Sequence, residues 1–268
     1  MGEDSYTRRC DKMALKVGMS TPFDAPLYDL NPERGIEYRN CDALAAVFLI
    51  DGKVDDILPE GLEPYSDPPQ GAIWISRYPF STVGTYNEHI SIIIVRDVHG
   101  EMGYYIPYIY VTNDAAMAAG REWAGAPKKM ANISLENECD LIQGTLERPS
   151  GKRLITLTLK PVERAGGSVV DAYIPYPTPL LSIRHVPFVK NPSGGPTHLT
   201  QLISWYAEVD FHKDPKGEKA VWMGPASITY DSPSLSDPVH KLKIDEVLAG
   251  LYFQFDMKLN VKEVQKDY

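Results

Sequence analysis

The chain has 268 residues and is acidic, with 27 Lys and Arg against 36 Asp and Glu, which gives a formal net charge of -9 at pH 7. This charge disfavours nucleic acids as the main partner, because they are polyanions. A content of 43% hydrophobic and 24% charged residues is typical of globular proteins and excludes disordered and collagen-like chains.

The first residues include acidic side chains and no apolar segment of signal-peptide length. We expect residues 1–20 to form a loosely held arm and residues 21–268 a single domain, because no repeat or low-complexity linker divides them. The longest apolar run, residues 43–50, is too short to span a bilayer. Cys10, Cys41 and Cys139 are odd in number and far apart. This spacing favours a cytoplasmic protein without disulfide bonds, and no membrane partner is expected.

Three short segments are predicted to be helical, at residues 42–47, 114–123 and 243–248. The second is the best defined, because Asn113 can cap it, Asp114 lies in its first turn, and several alanines follow. Gly125 and Pro127 are expected to end this helix.

Strands should outnumber helices, because 20 Gly and 22 Pro residues indicate many turns. Alternation is clearest where Ile155, Leu157 and Leu159 would share one face of a strand and Thr156 and Thr158 the other. The predicted strands are residues 90–95, 104–110, 154–159, 169–174, 180–186, 199–209, 227–230 and 251–259.

Short strands bounded by turns, without helices regularly between them, favour antiparallel sheets over a parallel doubly wound fold. The predicted fold class is therefore mainly β (α+β) with a few short helices, and its sheets are either closed into a barrel or stacked as a sandwich. Pro107 has no amide hydrogen to donate, so we expect it at an edge or a bulge.

Several familiar kinds of site have no support in the sequence. The six histidines and three cysteines show no metal-ligand spacing. No glycine-rich dinucleotide fingerprint follows a strand, and residues 193–196 (Ser-Gly-Gly-Pro) lack the lysine of a phosphate loop. No Gly-x-Ser-x-Gly motif is present either. We therefore predict no metal and no nucleotide cofactor.

Lys128 and Lys129 are adjacent and follow the alanine-rich helix and a Gly-Ala-Pro turn. Two such lysines on an acidic protein usually lie in a solvated loop. The rigid turn and the apolar Met130 favour instead a lysine held at a wall of the fold. If one lysine were buried beside the other, desolvation and the like charge would lower its pKa from ~10.4 toward neutrality. A neutral amine attacks ketones, and the resulting iminium accepts the electrons of a breaking bond alpha to it.

Three stretches carry further motifs. Residues 84–88 (Gly-Thr-Tyr-Asn-Glu) contain Tyr-x-Glu, residues 118–129 contain Gly-Arg-Glu and Pro-Lys-Lys, and residues 222–225 are Trp-Met-Gly-Pro. In this order, the three stretches resemble the Tyr-x-Glu motif, the lysine signature and the late turn of the acetoacetate decarboxylase family, which is the standard example of a lysine activated by a cationic neighbour. Weaker similarity extends across about residues 20–260.

The resemblance implies a cone-like barrel of the acetoacetate decarboxylase type, in a homo-oligomer, with the site in its interior. It implies that Lys128 forms a Schiff base, that Lys129 depresses its pKa, and that Glu88 transfers protons. Tyr86, in the same motif as Glu88, is expected to contact the substrate, a small-molecule keto acid. The implied chemistry uses no cofactor.

The chain departs from the family on the strand before the Tyr-x-Glu motif, where a second acid usually lies, because residues 70–87 contain no Asp or Glu. In a strand, Arg77 would share a face with Ile73 and Ile75. It would either line the pocket and bind a substrate carboxylate or lie exposed beyond the strand end. Arg34 and Arg39 are both candidates for the family's N-terminal arginine, and the sequence does not distinguish them.

The leading hypothesis is a Schiff-base lyase that decarboxylates a β-keto acid such as acetoacetate to a ketone and CO2. A second hypothesis uses the same lysine for aldol or dehydration chemistry on a keto acid such as pyruvate, which the missing acid and Arg77 favour. A third is a non-catalytic barrel that binds a small ligand, for which Lys128 would be an ordinary protonated lysine.

Overall fold

The computed structural model describes residues 27–29, 32–188 and 196–268 of the chain. The predicted arm at residues 1–20, which includes Cys10, lies outside this part, as do residues 193–195 of the Ser-Gly-Gly-Pro segment. Strands predominate within it, so the mainly β fold predicted from the sequence is confirmed.

The described part of the chain contains sixteen strands and two α-helices. The strands are β1 (Ile36–Ile50), β2 (Glu63–Pro64), β3 (Gln70–Tyr78), β4 (Phe80–Ser81), β5 (Tyr86–Arg96), β6 (Met102–Val111), β7 (Lys128–Met130), β8 (Asn132–Glu138), β9 (Leu141–Glu147), β10 (Arg153–Leu159), β11 (Glu163–Arg164), β12 (Thr178–Pro187), β13 (His198–Phe211), β14 (Val221–Gly224), β15 (Ala226–Tyr230) and β16 (Ile244–Asp267). The helices are α1 (Asp114–Ala119) and α2 (Gly167–Tyr173). Shorter helical turns are Pro32–Arg34, Gly120–Ala124 and Val239–Lys241.

The main sheet closes on itself. Each strand in the order β16, β13, β12, β6, β5, β3 and β1 pairs with the next, and β1 pairs again with β16 along most of its length. These pairs are antiparallel, as predicted, except that β6 and β12 run parallel where Tyr104 faces Leu180. The closed path encloses an interior, and the site described below lies in it.

A second, four-stranded antiparallel sheet, in the order β15, β10, β9 and β8, covers one side of the ring. Its apolar side chains, such as Leu157, share a buried cluster with Leu44 of β1 and Ile73 of β3. The two sheets approach closely at Gly144, where a Cβ would lie 2.7 Å from Cδ1 of Ile75. As a result, β1 and β3 bury one face in the ring and the other beneath the second sheet.

The predicted helix at residues 42–47 is wrong, because these residues lie within β1. Alternate residues, such as Ala43 and Ala45, face the interior, while Leu44 and Ala46 face the second sheet. A strand that is buried on both faces has no alternation of apolar and polar residues, so its sequence looks like that of a buried helix.

For two other predicted elements, the secondary structure is the opposite of the predicted type. Residues 169–174, predicted as a strand, lie mostly in α2, which buries Val170 and places Ile174 one turn later against the ring interior. Residues 243–248, predicted as a helix, belong largely to the start of β16. Short apolar runs do not distinguish the two periodicities, so contacts with the rest of the fold decide the structure of these segments.

The other seven predicted strands each lie within an observed strand. Pro107 lies at a bulge, as expected, because the pairing of β5 with β6 shifts by one residue between Ser91 and Ile93. The other edge of β6 also changes partner at this point, from β12 at residues 104–105 to β7 at residues 109–111. The interruption at Pro107 thereby leaves room for β7, the strand that carries the two lysines.

Candidate active site

A cavity lies inside the ring of strands. The part of the cavity that the centre of a water-sized sphere can reach has a volume of about 70 Å³. By the same measure, one buried water needs ~10–15 Å³. Its wall is mostly apolar and aromatic, and Lys128 and Glu88 are the only charged side chains among the described residues that line it. Chemistry in this cavity therefore depends on these two groups.

Local structure directs Lys128 into the cavity. The side chain of Asn113 accepts a hydrogen bond from the Ala116 amide at 3.0 Å, so α1 begins at the predicted cap. The helix continues as a π-helical turn and ends at Gly125, whose φ of 73° lies in the left-handed region that favours glycine. The chain then enters β7 with Lys128 pointing inward and only 5% exposed.

Gly120 and Arg121 hold Lys128 in place. A Cβ at Gly120 would lie 2.6 Å from both Cδ and Cε of Lys128, so the lysine stem fits only because this residue is glycine. Arg121 donates from Nη1 to the backbone carbonyl of Lys128 at 3.2 Å. The Gly-Arg pair that carries part of the family resemblance thus contacts both the side chain and the backbone of the lysine.

Lys128 and Glu88 form a buried ion pair. Nζ of Lys128 lies 2.7 Å from Oε2 of Glu88, and the carboxylate is 4% exposed. The other carboxylate oxygen, Oε1, accepts a hydrogen bond from the hydroxyl of Tyr78 at 3.1 Å. The ammonium nitrogen and the carboxylate oxygen are therefore in direct contact as an ion pair.

Three buried tyrosines, Tyr38, Tyr78 and Tyr86, pack against one another behind Glu88. The hydroxyl oxygens of Tyr38 and Tyr86 are 2.8 Å apart. Burial, and to a lesser extent the Glu88 carboxylate, raise the pKa of Tyr78 and of Tyr86 well above the ordinary value. Tyr78 therefore keeps its proton near neutral pH and remains a donor to Glu88.

Tyr86 contacts the lysine and not the cavity, in contrast to the expectation that it contacts the substrate. The centroid of its ring lies 5.6 Å from Nζ of Lys128. Tyr86 shares a face of β5 with Glu88, but it is absent from the cavity lining in the described part of the chain, and Tyr38 and Tyr78 pack over it. Its ring therefore supports the ammonium group from behind.

Lys129 lies on the opposite side of β7 from Lys128, because successive residues of a strand point to opposite faces. Its Nζ lies 3.0 Å from Oδ1 of Asp237 and also donates to the carbonyl of Ser236, and its side chain is 38% exposed. Burial alone would raise the pKa of Asp237, but hydrogen bonds from Lys129 and Ser236 and the charges of Lys129 and Arg148 keep it below the ordinary value. The expectation that Lys129 lies beside the Lys128 amine is therefore wrong.

Arg77 lies on the face of β3 that points away from the cavity. Its guanidinium binds Asp42 through two hydrogen bonds, with Nε 2.9 Å from Oδ1 and Nη2 3.0 Å from Oδ2, and its side chain is 53% exposed. Trp74 and Tyr78 occupy the cavity face of the same strand. The hypothesis that Arg77 lines the pocket and binds a substrate carboxylate is therefore wrong.

Neither of the two N-terminal arginine candidates lines the cavity in the described part of the chain. Arg34 pairs with Asp29 at 2.8 Å, and Arg39 pairs with Asp256 at 3.2 Å. Both arginines are exposed and take part in surface ion pairs.

The sequence interpretation missed the aromatic wall of the cavity, in particular Trp74, Tyr78 and Trp205. The family's second acid is expected on β3. In this chain, β3 presents Trp74 and Tyr78 to the cavity instead of an acid. Strand alternation does group Trp74 with Tyr78, but it does not indicate which face of a strand with two apolar faces lies inside.

Histidines do not form a metal site in the parts of the chain that the structure covers. Within residues 27–29, 32–188 and 196–268, no group of three or more His, Cys, Asp or Glu side chains is arranged to hold a metal ion. His89 is buried on the face of β5 opposite Glu88, and burial lowers its pKa to about 3, so it is neutral at physiological pH. The same ranges contain no helix with the length and apolar character needed to cross a bilayer.

Comparison with known structures supports this architecture. A crystal structure of acetoacetate decarboxylase from Legionella pneumophila superposes with a TM-score of 0.76 at 24% identity, over 96% of each chain. The enduracididine biosynthesis enzyme MppR, in complex with the condensation product of pyruvate and imidazole 4-carboxaldehyde, superposes with a TM-score of 0.72 at 18% identity, over 94% of this chain and 96% of MppR. These proteins share the fold of this chain.

Sequence comparison is more specific. The model of the acetoacetate decarboxylase (ADC) family matches residues 20–268. Acetoacetate decarboxylase 2 of Mesorhizobium japonicum is 31% identical over 255 residues, which cover 94% of this chain and 90% of that protein. The match spans the strands that form the ring, the segment that carries Lys128, and Glu88. The chain therefore belongs to the acetoacetate decarboxylase family.

Proposed function

We propose that this protein is a Schiff-base lyase that decarboxylates a β-keto acid of the acetoacetate type, with Lys128 as the nucleophile. The observation that carries the proposal is the buried contact between Lys128 and Glu88 in an otherwise uncharged cavity. Curated relatives named as acetoacetate decarboxylases support it. The proposed steps use the amine and the carboxylate of this chain.

The first step forms the covalent bond to the substrate. Glu88 takes a proton from the Lys128 ammonium, whose Nζ is 2.7 Å from Oε2, and this leaves a lone pair on the nitrogen. The nitrogen bonds to the ketone carbon, and the ketone oxygen takes a proton from the nitrogen to give a neutral carbinolamine. Glu88 returns its proton to that oxygen, which leaves as water and gives a cationic iminium.

The second step breaks the carbon–carbon bond to the carboxylate. Its electron pair moves toward the iminium nitrogen, CO2 leaves, and a neutral enamine remains. An apolar cavity assists this step, because the carboxylate is poorly solvated there and its charge disappears in the reaction. Glu88 takes up a proton from solvent and delivers it to the enamine carbon, and water hydrolyses the new iminium to release the ketone.

The position of Arg77 favours decarboxylation over chemistry that retains the carboxylate. Aldol or dehydration reactions of pyruvate keep the carboxylate in the site, where a guanidinium would be the suitable partner. No arginine lines the cavity in the described residues, and its one cation, Lys128, becomes the Schiff base. MppR, whose structure holds a pyruvate condensation product, represents the second hypothesis within the same fold.

The third hypothesis, a non-catalytic barrel, gives the ion pair no role. Burying an ammonium and a carboxylate costs several kcal/mol per ion before their attraction is counted, and apolar residues in their place are often at least as stable. The presence of Lys128 and Glu88 in an apolar wall therefore supports a chemical role. A homo-oligomer and a cytoplasmic location stay predictions.

The test is CO2 release from acetoacetate by the purified protein. We expect turnover in the wild type and a loss on the order of 10³-fold or more in Lys128→Met, because the nucleophile is removed. Lys152→Met, at an exposed turn, is the matched control and should behave like the wild type. Equal CO2 release by wild type and Lys128→Met would overturn the proposal. Condensation of pyruvate with an aldehyde, without CO2 release from acetoacetate, would support the second hypothesis in its place.

A further inference from the structure

We propose that the cavity selects β-keto acids that carry an extended apolar substituent on the ketone, in preference to acetoacetate itself, whose substituent is a methyl group. This inference rests on the proposed function and adds a substrate class to it. It follows from the shape of the cavity, the satisfaction of its polar groups and the position of its charges.

The cavity is long, and its charged pair lies at one end. Glu88, Ile90 and Ile92 are alternate residues of β5, and all three line it. The four steps from Glu88 to Ile92 span about 14 Å at ~3.4 Å per residue of an antiparallel strand, so the wall continues about 14 Å beyond the reactive pair. A methyl ketone held by Lys128 would occupy the end near Glu88 and leave the other end unfilled.

The end of the cavity remote from Glu88 is apolar. Ile92 pairs with Ala72 of β3, and Ala72 pairs in turn with Val47 of β1, so these three lining residues form a continuous row across the sheet. Leu180 of β12 also lines the cavity. Water is poorly stabilised against such a surface, because a buried water requires two to four polar partners. An apolar chain fills this space more favourably than water does.

Five of the six uncharged side chains in the described lining that carry an N–H or O–H donor, all except Tyr173, donate to protein acceptors rather than to the cavity. Tyr104 donates to the carbonyl of Tyr173 at 3.1 Å, and Thr178 donates to the carbonyl of Pro175 at 2.7 Å. Nε1 of Trp205 donates to Ser182 at 3.0 Å. Trp74 and Tyr78 likewise donate to Ser76 and Glu88. A polar substituent on the substrate would lose its hydration and gain little from these groups.

The charges fix the orientation of the substrate. The ketone carbon must reach Nζ of Lys128, so the carboxylate lies near this end of the cavity and the substituent on the other side of the ketone extends toward Ala72. Small side chains along the interior, at Ala45, Ala72 and Ala207, leave the width that such a chain needs. The favoured substrate is therefore a linear 3-oxo acid with several carbons beyond the ketone.

A series of chain lengths tests this inference on the wild-type protein. CO2 release would be measured with acetoacetate, 3-oxopentanoate and 3-oxohexanoate. We expect kcat/KM to rise by roughly fourfold for each added CH2, the equivalent of its burial from water, and therefore by about tenfold or more across the series. Values that stay level or fall, with acetoacetate still decarboxylated, would overturn this inference and leave the proposed function standing. Absence of CO2 release from all three acids would overturn the proposed function and the inference with it.

A pair of variants locates the selectivity. Ala72→Val narrows the remote end, so the ratio of kcat/KM for 3-oxohexanoate to that for acetoacetate should fall by about fivefold or more. Ala46→Val makes the same change on the other face of the neighbouring strand, beneath the second sheet, and should leave this ratio unaltered. A ratio equally changed in both variants, or in neither, would overturn the assignment of the remote end. Because the readout is a ratio for one protein sample, a partial loss of folded protein does not affect it.

Discussion

Lys128 and Glu88 are each other's only charged neighbour in the described lining of the cavity. Removing one member of a buried ion pair leaves the other uncompensated, which typically costs about 3–5 kcal/mol of stability. Variants that keep the shape of the side chain and change one chemical property are therefore more informative here than truncation.

Glu88→Gln is predicted to slow the proton transfers while leaving the nucleophile in place. The amide can still accept the hydrogen bond from Tyr78, but it cannot carry a proton, so kcat for decarboxylation should fall by about 10²–10⁴-fold. Borohydride should still trap acetoacetate on Lys128, but more slowly, because the nucleophile remains and water must replace Glu88 as the base. Glu101→Gln, at an exposed position between β5 and β6, serves as the control. An unchanged kcat in Glu88→Gln would contradict a role for Glu88 in proton transfer.

Lys129→Gln is predicted to affect stability and to leave the pH dependence of Lys128 unchanged. Lys129 faces away from the cavity and pairs with Asp237, so its loss should lower the free energy of unfolding by about 1 kcal/mol. If Lys129 acted as a close like charge, its removal would move the pH midpoint of Lys128 acylation upward by about one unit or more. We expect no such movement, and acylation rates measured against pH would reveal it. Lys129→Arg, which keeps the charge, is the control. If both variants lower kcat, the cause is a displacement of β7 and not the loss of the charge.

At the scale of elements, the π-helical turn Gly120–Ala124 sets the position of Lys128. Gly120→Ala would place a methyl group 2.6 Å from Cδ and Cε of the lysine, so the side chain must move. A displacement of about 1 Å at a reacting group costs on the order of 10²-fold in rate, and we expect kcat to fall accordingly. Gly167→Ala, at the start of α2, is the control, because nothing lies within 4 Å of its added Cβ. Equal kcat values in the two variants would show that Gly120 does not position the lysine.

Elements with one buried face were predictable from the sequence, and elements with two were not. In β10, Leu157 and Leu159 are buried while Thr156 and Thr158 are half-buried, so alternation identified the strand. In β1, both faces are covered between Cys41 and Ile50, and the same reasoning predicted a helix there. The missing information is tertiary, because it depends on which surfaces the second sheet covers.

The candidate site could be predicted only in part, again because the missing information is tertiary. The family resemblance identified Lys128 and Glu88, and the structure brings these two side chains into contact. The partner of Glu88, Tyr78, depends on the register between β3 and β5, where Ser76 faces Glu88 and Tyr78 faces Tyr86. One sequence does not specify that register. For the same reason, alternation grouped Arg77 with Ile73 and Ile75 correctly but did not show that this face lies outside the cavity.

At the scale of the whole molecule, the ring and the second sheet create two separate buried regions. The first surrounds the cavity, and the second, which includes the fully buried His89 ring beside Tyr110, lies on the outer face of the ring. A titratable group in this second region links the stability of the fold to pH without contributing to the chemistry of the site.

His89 is predicted to make the protein less stable at acidic pH. Burial lowers its pKa to about 3, whereas the unfolded chain has a histidine pKa of ~6.5. Between these values the unfolded state binds a proton that the folded state does not, so stability is lost as the pH falls below about 6.5. At pH 5 the loss is about 2 kcal/mol from this group. Urea unfolding of the wild type and of His89→Gln at pH 7.5 and pH 5 checks this, because the variant should lose about 2 kcal/mol less between the two pH values. Equal losses in both proteins would contradict the assignment.

The central claim is that the amine of Lys128 forms a covalent bond with a keto acid. Reduction with borohydride in the presence of acetoacetate, followed by peptide mapping by mass spectrometry, tests this most directly. We predict a single adduct on Lys128, present in the wild type and in Glu88→Gln and absent from Lys128→Met. An adduct on Lys129, or no adduct under conditions in which a known acetoacetate decarboxylase is labelled, would contradict the account.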